Sequence, residues 1–70
     1  MERQYVESTL ATSVGYDPST STLEVEFRSN GAVWQYRDVP ESVYNEMMSG
    51  SIGKYFHANI KNQYHESQVG

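Results

Sequence analysis

Leu23, Val25 and Phe27 alternate with Glu24, Glu26 and Arg28, and the run leads through Asn30-Gly31 into Trp34-Gln35-Tyr36. Two-residue alternation marks a strand with one wet and one dry face, and Asn-Gly tolerates the positive φ values of a two-residue hairpin turn. Pairing Ser29 with Ala32 across that turn sets Phe27 opposite Trp34, Val25 opposite Tyr36 and Glu24 opposite Arg37. One face is then apolar and aromatic, while the other carries an opposite-charge pair. A slip of one residue would mix the two faces, so the hairpin constrains everything around it. Glu24 and Glu26 leave the strand on the same side. Opposite Arg37 and Gln35 they read as ordinary solvent-facing surface rather than as paired catalytic carboxylates.

The remaining elements arrange themselves around this hairpin. Val14 and Tyr16 alternate with Ser13 and Gly15, which predicts a preceding strand, and Asp17-Pro18-Ser19-Thr20-Ser21 supplies the turn. Pro40 at a first helical position and Glu41 beside it predict a helix start. Val43, Tyr44, Met47 and Met48 give that helix a face for the sheet. Gly50 is expected as its left-handed cap and Ser51 as the N-cap of a second helix running to about Tyr64. Residues 1–10 read as a loosely ordered arm and 66–70 as a frayed tail. The expected fold is α+β, a three-stranded antiparallel meander followed by two helices packed on one face, in one domain over residues 1–70.

With 70 residues and no cysteine, such a domain has no disulfide to staple it and depends on apolar burial. One tryptophan, two phenylalanines and six tyrosines supply large areas for that purpose. Covering more surface would help so small a core, and a homodimer is one way to do it. No apolar run approaches the ~20 residues of a membrane span, and the first residues lack the apolar region of a signal peptide. The expected compartment is the cytoplasm. Nine acids against five Lys and Arg, a net charge of −4, argue against a protein that coats nucleic acid non-specifically.

Against that acidic balance, Ser51 to His65 contains no acid at all. At 100° per residue Lys54, His57, Lys61 and His65 fall on one stripe of the second helix, and Ile52, Phe56, Ile60 and Tyr64 fall on another. The stripe is the candidate contact surface, with Tyr55, and less directly Tyr5 and Tyr64, as exposed rings beside it. The bland alternative is a solvated helix end whose cations suit the dipole. His57 and His65 stand eight residues apart, roughly 12 Å along a helix, too far to chelate one metal ion in the way an i, i+4 pair does. Gly50-Ser51-Ile52-Gly53-Lys54 lacks the spacing of a phosphate loop, and no pattern sets a base beside a nucleophile. Trp34, Tyr36, Tyr16 and Phe27 share one sheet face and could serve as a stacking platform for bases. Two amphipathic helices must cover something, however, and these rings are the obvious core.

Four stretches together resemble the KTSC domain: Ser13-Val14-Gly15-Tyr16-Asp17-Pro18, Thr22-Leu23-Glu24-Val25-Glu26-Phe27, Val39-Pro40 with Val43-Tyr44, and Gly53-Lys54-Tyr55-Phe56 with Ile60 and Tyr64. The resemblance spans residues 8–66. The family takes its name from the C-terminal domain of some lysyl-tRNA synthetases and includes small stand-alone bacterial and phage proteins. Its central Tyr-x-Tyr pair reads Trp34-Gln35-Tyr36 here, which keeps the aromatic packing but loses one phenol hydroxyl. The resemblance implies no established activity; RNA binding is suggested by the synthetase attachment, which is association rather than mechanism.

The reading that emerges is a small non-catalytic binding module without a cofactor. It would contact RNA weakly through Lys54, Tyr55, His57, Lys61 and His65, with pH-dependent help from the two histidines. The alternative is a protein-interaction module or homodimer, facing an acidic protein partner in a bacterial or phage regulatory role.

Overall fold

A computed structural model describes residues 1–70. It contains β1 (Gln4–Tyr5), β2 (Ala11–Asp17), β3 (Thr22–Phe27), β4 (Val33–Arg37), α1 (Glu41–Met48), α2 (Ile52–Tyr55) continuing as a π-helical segment (Phe56–Ile60), and β5 (His65–Gln68). The class is α+β with two helical elements, as the sequence implies. The sheet, however, has five antiparallel strands in the order β1-β2-β3-β4-β5 rather than three. The added strands come from the segment expected as a loose arm and from the expected frayed tail together with His65, which the sequence places on the helix stripe. The arm pairs Gln4 with Val14 and Tyr5 with Ser13. The tail pairs His65 with Arg37 and Gln68 with Trp34, and Val69 and Gly70 go on to donate to the Val33 carbonyl.

The β3–β4 register differs from the expected one by two residues, with Val25 opposite Trp34, Leu23 opposite Tyr36 and Glu24 opposite Gln35. A shift of two preserves the faces, so the segregation survives although the partners change. The cause is the loop. Phe27 donates its N–H to the Ala32 carbonyl and accepts at its own carbonyl from Gly31, so four residues turn the chain rather than two. Gly31 takes φ +73°, and the Asn30 side chain accepts from Ala32 N–H at 3.0 Å.

On the dry face Val14, Leu23, Val25 and Tyr36 meet Met47 from α1 and Phe56 and Ile60 from the π-helical segment. Tyr16 stacks on Tyr44 at 4.9 Å and donates its hydroxyl to the Val39 carbonyl. Pro40 is the N-cap of α1 rather than its first residue, and the helix closes at Ser49 in a right-handed conformation without a left-handed Gly50. Ser51 does cap α2, its side chain accepting from Lys54 N–H. No helix is long and apolar enough to cross a membrane.

The other sheet face is less bare than alternation suggests. Glu24 is only 6% exposed. The arm brings Arg3 into an ion pair with it, and Gln35 donates to its other oxygen at 2.9 Å. Arg3 also donates to the Ser13 hydroxyl, which donates in turn to Glu26. Arg28 holds the arm from its far end, bonding the carbonyls of Ser8 and Ala11. Gly15 makes the approach possible. A Cβ there would lie far inside contact with the Glu2 carbonyl oxygen and 3.0 Å from Arg3 Cγ. Gly15→Ala is therefore expected to cost about 1–3 kcal/mol by overpacking and to speed hydrogen exchange at the Val6 amide, which bonds to Thr12. Unchanged protection at Val6 would show that the arm is not held through this contact.

Candidate functional site

The second helix ends four residues earlier than its apolar period suggests. Lys61 N–H bonds to the Phe56 carbonyl five residues back, the widened turn of a π-helix. Lys61 then adopts an extended conformation and Asn62 a left-handed one at φ +63°. Asparagine tolerates that region better than most residues, so the chain can turn here and return as β5.

The break divides the predicted stripe. Lys54 and His57 remain together beside Thr9, Leu10 and Ser51 along an open groove of about 770 Å³. His57 and Lys61 stand on the rim of an adjoining cleft of about 250 Å³ between the sheet and the π-helical segment. His65 is elsewhere. It pairs with Arg37 on the sheet face turned away from the helices, whereas its neighbour Glu66 pairs with Tyr36 on the helix side. Tyr55 also leaves the group, because its hydroxyl donates to the Glu46 carboxylate of α1 at 2.8 Å. That hydrogen bond pushes the Tyr55 phenol above its ordinary range, with burial and the Glu46 charge acting the same way. Tyr5 is 86% exposed on β1, at the opposite edge of the sheet from β5.

Leu10, Phe27, Trp34, Tyr36 and Phe56 form the apolar wall of the smaller cleft. Phe56 meets Phe27 and Tyr36 edge-on at 5.6 and 5.5 Å and fixes the wall beneath the helix. The sequence predicts Phe27, Trp34 and Tyr36 to be core. That holds for Tyr36, at 3% exposure, while Phe27 and Trp34 are half-buried. Burial, and secondarily the charge of Glu66, push the Tyr36 phenol up to about 12. The sequence predicts no strand at 65–68, so little in it points to Glu66. The one available signal was the alternation of Tyr64, Glu66 and Gln68, and it is weak.

The electrostatic pattern follows from how the basic residues are used. Arg3 is ion-paired and Arg28 bonds backbone carbonyls, so both serve the fold. Lys54 and Lys61 are exposed and make no ion pair. No group of three or more His, Asp or Glu side chains is placed to hold a metal ion.

Comparison with known proteins agrees with this architecture. The KTSC domain profile matches residues 7–64. The chain is 38% identical over 66 residues to an uncharacterized protein of Stutzerimonas stutzeri (strain A1501), covering 93% of this chain and 92% of that one. Over 55 residues it is 42% identical to a lysine–tRNA ligase of Nostoc sp., a match to 77% of this chain and only 10% of the ligase. The crystal structure of a KTSC domain protein from Yersinia pestis superposes with a TM-score of 0.93 at 38% identity, over 99% of this chain and 97% of that one. By the profile match over residues 7–64 and these similarities, the chain belongs to the KTSC domain family.

Proposed function

We propose that the protein is a small non-catalytic module that binds single-stranded RNA weakly along the edge formed by Lys54, His57 and Lys61. The observation that carries this reading is the juxtaposition of two unpaired lysines with an aromatic-walled cleft. Cations that track a phosphate backbone beside rings that stack bases are the two ingredients of single-strand recognition. The match to a segment of a lysine–tRNA ligase, a protein that handles RNA, supports the same direction. Compared with the sequence-based surface, the contact loses His65 and Tyr55 and gains the cleft.

Two full charges set a modest affinity and a shallow salt dependence. For two neutralised phosphates on a single strand, log K against log salt should fall with a slope of about −1.4. Anisotropy titration of a labelled single-stranded RNA from low to moderate salt measures it. Lys54→Glu/Lys61→Glu should abolish the binding. A flat salt response, or full affinity in the double variant, would exclude this edge. Exposed Tyr5 on the short strand β1 favours a second reading, a homodimer joined at that edge. Light scattering across a concentration series separates the two readings, since only the dimer changes mass without RNA.

A further inference from the structure

We infer that the cleft beside Lys61 accepts one unpaired guanine base, with the Glu66 carboxylate receiving the two N–H groups of its Watson–Crick edge. This rests on the RNA reading only for the strand that would carry the base. At about 250 Å³ the cleft falls below the ~300–1,000 Å³ typical of drug-sized sites. It suits a base whose ribose and phosphate stay outside, within reach of Lys61. Trp34 and Phe27 offer half-buried rings for stacking.

Polar chemistry in the cleft selects among the bases. Glu66 lies opposite Tyr36 in the β4–β5 register, so the carboxylate and the phenol emerge on the same side. Glu66 makes neither a hydrogen bond nor an ion pair within the chain, leaving both oxygens available. A carboxylate presents two acceptors side by side. Guanine answers with two adjacent donors, the N1 imino and N2 amino groups. Adenine and cytosine offer an amino donor next to a ring-nitrogen acceptor, and uracil offers an imino donor between two carbonyls. Each of these sets an acceptor against an acceptor, which penalises the wrong base as well as rewarding the right one. Tyr36 lines the cleft and, like any phenol, is protonated at neutral pH, so its hydroxyl can donate to the guanine O6.

The test uses uridine hexamers with guanosine, inosine, adenosine or an abasic ribose at one central position, together with free GMP. Trp34, the one tryptophan, reports stacking through quenching of its emission. The guanosine hexamer is expected to bind about tenfold more tightly than the inosine or adenosine forms, the range of one good bidentate contact, and to quench Trp34. Glu66→Gln should erase that preference; because Glu66 is exposed and unbonded, the variant should melt like the parent. Equal binding of guanosine, adenosine and abasic hexamers, still lost in Lys54→Glu/Lys61→Glu, would overturn the base site and leave the RNA edge standing. Quenching by GMP that depends on Glu66, with no hexamer bound, would keep the base site and overturn the RNA edge. Silence from every ligand would overturn both.

Discussion

Phe56→Ala is expected to destabilise the domain by about 3–5 kcal/mol, the range for truncating a buried aromatic. The whole fold has only about 4–10 kcal/mol to lose, taking the usual stability per residue over 70 residues. The substitution should therefore remove from about a third to all of that reserve at 25 °C. Phe56 is 3% exposed and is held edge-on by Phe27 and Tyr36. It thus pins the π-helical segment to the sheet and also forms part of the cleft wall. Phe56→Leu removes less volume and should cost about 1–1.5 kcal/mol, leaving enough folded protein for binding measurements. Urea denaturation followed by circular dichroism gives both values. A loss below about 1 kcal/mol in the alanine variant would mean that the helix does not depend on this ring.

The second large effect lies on the other face of the sheet. Arg3→Ala is expected to cost about 2 kcal/mol, because it strands the Glu24 carboxylate in a nearly covered position. Removing one partner of a fully buried pair costs about 3–5 kcal/mol; the Arg3 side chain is 29% exposed and Gln35 still donates, which lowers the figure. Changing both residues, as in Arg3→Met/Glu24→Leu, should cost less than Arg3→Ala alone, since no orphaned charge remains.

Acid provides an independent check on the same group. Burial by itself raises the Glu24 pKa, but the hydrogen bonds from Gln35 and Arg3 and the Arg3 charge outweigh it, and the net value lies below the ordinary 4.5. A carboxyl whose pKa is lowered in the folded state stabilises that state in full above its ordinary value. The contribution fades as pH falls from about 4.5 through the lowered folded-state value. Thermal melts should show a steeper loss over that window in the parent than in the double variant. Parallel curves would mean that Glu24 contributes nothing to acid stability.

How far the sequence reveals this molecule depends on how local each signal is. The alternation in β3 and β4 gave the correct faces because period two is written in neighbouring residues. The register moved by two because a four-residue turn and a two-residue turn share the same Asn30-Gly31 signal. β1 and β5 were hidden for a different reason. Short polar strands such as Gln4–Tyr5 and His65–Gln68 carry no apolar period of their own and form because a paired edge is waiting for them. In the same way, nothing in the apolar spacing of Ile52, Phe56, Ile60 and Tyr64 reports the left-handed turn at Asn62 that ends the helix and carries His65 away. Lys54, His57 and Lys61 were legible as a basic edge. The carboxylate beside them was not, since finding it required knowing where the last strand lands.

The arm held by Arg3 and Arg28 also affects how the protein behaves in a crowd. β2 is seven residues long, and β1 occupies only part of its outer side. Were the arm released, a row of backbone amides and carbonyls would face outward as a template for strands from other molecules, the usual seed of sheet-to-sheet aggregation. Two guanidinium groups thus act as a guard against self-assembly, and acidic solution, which neutralises the carboxylate that one of them grips, is where clumping should first set in.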